Sequence, residues 1–108
     1  MAKTLVVPAA AQRDPIAMEM ARVWIAERGL HCALHVGMYA GQGHDEPRAW
    51  GIILADMARH VSNALAEEFG DVTPEDALAS VRDAMLAELD DPSTKHSGSF
   101  VSDEHIED

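Results

Sequence analysis

Six histidines stand in a chain of 108 residues, and imidazole is both a common metal ligand and the usual general base near neutral pH. His31 and His35 share a parity, so in an extended segment both project from one face. Four residues of strand separate them by about 13 Å, too far for one zinc ion to bridge. Two copies paired antiparallel about Ala33 would set His31 of one chain opposite His35 of the other at about 5 Å between Cβ atoms, close enough to share a metal. The plainer alternative is two histidines on a solvated sheet face. His44, with Asp45 and Glu46 in a loop containing Gly41 and Gly43, could loosely hold a divalent cation, but a solvated charged turn is the simpler reading. The likeness of this loop to a phosphate-binding loop ends at its missing lysine and third glycine, and its acids already occupy the electropositive start of the following helix.

Asp56 and His60 lie four residues apart, with Arg59 between them, so on a helix a carboxylate could orient an imidazole for acid-base work. Such a pair needs a nucleophile or a bound substrate beside it, and Ser62 points about 200° around the helix from His60. As an ordinary surface pair the two would be worth about 0.2–0.5 kcal/mol. Cys32, between Leu30 and Leu34 on an apolar strand face, reads as a small core residue and not as a nucleophile. Trp24 and Trp50 fall on apolar helix faces and read as packing. No cofactor is indicated.

The elements that must hold these residues follow from periodicity and punctuation. Thr4 to Val7 is a short apolar run stopped by Pro8, a candidate edge strand. Asp14 as a cap, Pro15 at the first helical position and Gly29 after the end predict a first helix over Pro15 to Arg28. Its apolar arc, containing Ile16, Met20, Val23, Trp24 and Ile25, is unusually wide and asks for two neighbours. Leu30 to Tyr39 alternates strictly, which predicts a strand with its aliphatic residues turned inward and its imidazoles outward. A long helix is expected from Glu46 or Pro47 to Phe69, with Trp50, Ile53, Leu54, Met57, Val61, Ala64 and Leu65 on one face and Ile52 isolated among polar residues. A third helix opens at Thr73-Pro74-Glu75-Asp76, buries Leu78, Val81, Met85 and Leu89, and ends at Pro92.

The fold class is therefore α+β, two or three short strands with three helices in the order strand, helix, strand, helix, helix. Two strands make a marginal sheet, so the clear strand must pair with a symmetry mate or with a third strand that carries no signal. Residues 1–90 form the expected compact domain. Residues 91–108 read as an acidic, mostly disordered tail in which only Phe100, Val101 and Ile106 could dock.

Composition bounds the partners. Nineteen acidic residues against eight basic ones give a formal charge of −11. Such a surface repels phosphate, which argues against nucleic acid and against an anionic membrane. No apolar run is long enough to span a bilayer and the first ten residues do not resemble a signal peptide, so a cytoplasmic location is expected. A single cysteine agrees with a reducing compartment. The segment from Ala49 to Val61 (AWGIILADMARHV), following Ala21 to Ile25 (ARVWI) and Gly29-Leu30, resembles a family of short uncharacterised bacterial proteins, a domain of unknown function, over roughly residues 17–70. That resemblance implies no catalytic residues. The expected function is a non-enzymatic protein-binding or regulatory homodimer. The alternatives are a metal- or ligand-binding protein using His31, His35 and His44, and a small enzyme using Asp56 and His60.

Overall fold

The computed structural model describes residues 2–38, 43 and 45–93, together with the backbone of 96–102. The class is α+β. Its elements are α1 (Ala9–Arg13), β1 (Ala21–Ala26), β2 (Gly29–Val36), α2 (Glu46–Glu68), α3 (Pro74–Asp90) and β3 (His96–Ser102).

Residues 15–28, expected as a helix, hold a turn and a strand instead. Asp14 closes α1 by donating its N–H to the Ala10 carbonyl, and its carboxylate accepts from the Ile16 amide at 3.0 Å, so Asp14-Pro15 is a bend. The wide apolar arc of the helical wheel was the mark of a strand: Val23, Trp24 and Ile25 are β-branched or aromatic, and they suit a pleated surface better than a helix. Thr4 to Val7, expected as an edge strand, is irregular and exposed.

β1 and β2 form an antiparallel hairpin in which Ala26 pairs with Gly29. The two residues between them, Glu27 and Arg28, have φ of 49° and 65°, as a tight primed turn requires. Neither is the Asn or Gly that announces such a turn, so the hairpin was silent in the sequence. Holding an L side chain in this region costs about 1 kcal/mol or more per residue. The double substitution Glu27→Asn, Arg28→Gly is therefore expected to raise the denaturation midpoint by an amount worth about 1–2 kcal/mol. An unchanged midpoint would contradict the turn geometry.

β2 is the central strand of a three-stranded sheet ordered β1-β2-β3. Its extended conformation is as expected, but it ends at Val36 because Gly37 takes φ 93°; Tyr39 lies outside the described residues. β3 pairs with β2 in parallel, from Leu30 with His96 to Val36 with Ser102, so part of the expected tail is a strand. A parallel pair needs a long crossover, and the α2–α3 hairpin provides it.

α2 starts where Asp45 accepts from the Arg48 amide at 3.2 Å, and α3 where the Thr73 hydroxyl accepts from the Asp76 amide at 3.1 Å. The Thr73 cap is the one the sequence reading names, and the start of α2 at Glu46 also fits it, with Asp45 as the cap that reading did not assign. The helices close on Ser62 and Ala77, the most buried residues of each. In the last turn of α3, Glu88 accepts from both the hydroxyl and the amide of Ser93, which lies just past the helix. The hydroxyl first, and the amide second, hold its carboxyl below the usual range, with a small opposing effect of desolvation. A carboxyl lowered in the folded state stabilises above its unfolded pKa, and that contribution is lost as pH falls through the folded value. Ser93→Ala is expected to move the Glu88 titration upward in an NMR pH series; an unmoved curve would rule out the hydroxyl as the main cause.

The core is thin. Among the described residues the buried apolar side chain is Ala77. The strands pair along β2, and the two long helices pack on each other. α2 changes the side it covers along its length. Glu46, Ala49, Trp50 and Ile53 are half-buried on one side near its start, and Ala58, Ser62, Leu65 and Ala66 are covered on another side toward its end. Leu54, Met57 and Val61, at the centre of its apolar arc, lie exposed between them. On α3, Leu78 and Val81 are half-buried as expected, but Met85 and Leu89 are exposed, Leu89 to 73%.

Candidate functional site

The histidine strand is placed correctly, but its faces are not cleanly divided. His35 is buried to 4% exposure on the imidazole face, where Ala33 is exposed, and Leu30 is exposed on the aliphatic face. In an antiparallel ladder, directly opposed residues share a face. Val23 lies opposite Cys32 and Ile25 opposite Leu30, while Trp24 lies opposite His31 and Arg22 opposite Ala33. The aliphatic face is thus the open one at Val23, Ile25 and Leu30. The imidazole face holds His31 half-buried beside Trp24 and ends in buried His35.

His35 sits at the joint between sheet and helix. Its amide donates to the Met20 carbonyl at 3.0 Å, which continues the β1 edge past its formal start. Two residues on, the Gly37 amide donates to the Glu46 carboxylate at 2.6 Å. Glu46 opens α2, where a carboxylate also complements the helix dipole. Trp50 follows one turn later on the same side, and its indole N–H is buried without a hydrogen-bond partner among the described residues. A buried donor of this kind is costly, by about 1–3 kcal/mol. In the sequence Glu46 stood as a helix start and, with His44 and Asp45, as a candidate cation ligand, and Trp50 stood as packing. Their i, i+4 spacing was the available sign that they share one side of α2.

Among the described residues of one chain, the expected metal arrangements are not assembled. Both edges of β2 are occupied, by β1 and β3, so two copies of β2 cannot pair about Ala33 to bring His31 against His35. Among the described residues no group of three or more His, Cys, Asp or Glu side chains is placed to hold a metal ion. His44 lies outside the described residues. Asp56 and His60 are both exposed on α2, on the side away from Ser62. The Ser62 hydroxyl donates to the Ala58 carbonyl at 2.8 Å inside the helix contact, so it is not presented to His60. Cys32 is a half-buried free thiol. No helix among the described residues is long and apolar enough to cross a membrane.

Residues 4–93 match the profile of a family described as Domain of unknown function (DUF5076). The chain belongs to DUF5076. The family unit therefore takes in the exposed N-terminal arm, the β1–β2 hairpin and both long helices, and β3 lies beyond it. No curated protein matches the chain. Among solved structures, this DUF5076 chain is similar to one described as "a putative pyruvate dehydrogenase from the photosynthetic bacterium Rhodopseudomonas palustrus CGA009". The two share 27% identity, with a TM-score of 0.63 over 88% of this chain and 91% of the other.

Proposed function

We propose that the chain is a non-enzymatic protein-binding module that acts as a homodimer in the cytoplasm. One observation carries the reading: a single chain exposes 9398 Å², whereas a folded monomer of 11.7 kDa exposes about 5,900 Å². Large apolar side chains contribute to that area. Leu5 is 96% exposed and Ile25 86%, and Val6, Ile16 and Leu89 are nearly as bare. Monomeric proteins rarely leave so many large apolar side chains in water. The radius of gyration, 16.0 Å, against about 13 Å for a compact chain of this length, speaks the same way. The cytoplasmic placement rests on the free thiol of Cys32 and on a charge of −11 that disfavours anionic surfaces.

The description of the Rhodopseudomonas protein would suggest an enzyme acting on a 2-oxo acid. Such chemistry needs a nucleophile and a proton carrier in one place, and what this chain offers is dispersed: His31 and His35 on β2, Asp56 and His60 on the exposed side of α2. Sedimentation equilibrium tests the proposed reading. Twice the mass of the chain is expected at micromolar concentration, and a folded species of 11.7 kDa throughout would remove it.

A further inference from the structure

Resting on the homodimer reading, we propose that the two copies complete each other's core in trans: the sheet face carrying Val23, Ile25 and Leu30 of one copy packs on the α2 stripe Leu54, Met57 and Val61 of its partner, and reciprocally.

Each of these faces is apolar and exposed within its own chain. A sheet face and a helix stripe are the two surfaces that ordinarily cover each other in a layered α+β domain. Here one chain carries both, and its sheet meets the start of α2 where the Gly37 amide donates to Glu46, away from either exposed face. The stripe has the i, i+3, i+7 spacing of a helix seam. None of these six residues is charged, and the charge nearest the stripe on α2 is Glu68 at its C-terminal end, so most of the net charge of −11 per copy lies around the contact, where salt screens it.

The number of faces covered separates this arrangement from its simpler rivals. Each chain exposes roughly 3,500 Å² more than a compact monomer of its mass, part of it on the N-terminal arm, so two chains together have a surplus of about 7,000 Å², enough for the roughly 2,000–5,000 Å² in total that an obligate dimer buries. Pairing helix stripe with helix stripe would leave the sheet face bare, and pairing sheet with sheet would leave the stripe bare. An exchanged contact removes both from water. It is also self-consistent under twofold symmetry, since a surface that meets a different surface on its partner does so twice.

Isotope-filtered NOE spectroscopy on a dimer mixed from carbon-13-labelled and unlabelled full-length chains reads the contact directly. Intermolecular cross-peaks are expected between the methyl groups of Val23, Ile25 and Leu30 and those of Leu54, Met57 and Val61. A dimer whose intermolecular cross-peaks join only like faces, or neither face, overturns the exchanged contact and leaves the homodimer reading intact. A monomeric mass in the same sample overturns both.

Discussion

Met57→Asp is expected to raise the dimer dissociation constant at least a hundredfold. Met57 lies in the middle of the exposed α2 stripe, 45% accessible in the single chain, so the substitution asks little of an isolated helix beyond a modest loss of propensity. In the dimer the same position is covered, and an unpaired carboxylate in an apolar contact costs about 3–5 kcal/mol. Twofold symmetry applies that cost twice. The matching control is Asn63→Asp, which adds the same charge on the exposed polar side of α2 and should leave the mass unchanged. Sedimentation of the three proteins side by side decides the matter. A Met57→Asp protein that dimerises as tightly as the parent would show that the stripe is not an interface.

Ser62→Leu carries the second large effect, and it acts within the chain. Ser62 is 1% exposed where α2 and α3 close on each other, and its hydroxyl is spent on the Ala58 carbonyl one turn back. Three added carbons have nowhere to go, and overpacking of this sort costs about 1–3 kcal/mol. For a domain of this size that corresponds to a fall in Tm on the order of 5–20 °C at fixed protein concentration. Ser62→Ala keeps the volume and gives up a bond to a carbonyl the helix already satisfies, so it should stay within about 1 kcal/mol of the parent. Equal melting of the Leu and Ala variants would mean that the helices do not meet closely at this residue.

The legible parts of the fold were those with local punctuation. α2 and α3 announce themselves through their apolar faces and through Pro47, Thr73 and Pro74, and β2 through its strict alternation. β1 was hidden because Asp14, Pro15 and Gly29 imitate helix boundaries while its turn is made by Glu27 and Arg28, whose positive φ no residue type advertised. β3 was hidden because its pairing is parallel and non-local, and Ser- and Gly-rich composition reads as tail. The β2 faces were misjudged at Leu30, which is exposed, and at His35, which is buried. Alternation gives two faces but not how far each is covered, and the bond from the His35 amide to the Met20 carbonyl is a contact that no spacing in the chain encodes. Among the candidate residues, Asp56 and His60 were correctly placed on one helix side, but the sequence could not show how open that side is.

The central claim is that one chain lacks a sufficient core and that a second copy supplies it, so folding and association should be a single event. Denaturant unfolding followed by far-ultraviolet circular dichroism over a range of protein concentrations tests this most directly. If the dimer is the folding unit, each tenfold increase in concentration stabilises the folded form by about 1.4 kcal/mol and moves the midpoint upward accordingly. A midpoint that stays fixed across two decades of concentration would contradict the account, because it would mean that the lone chain folds without its partner.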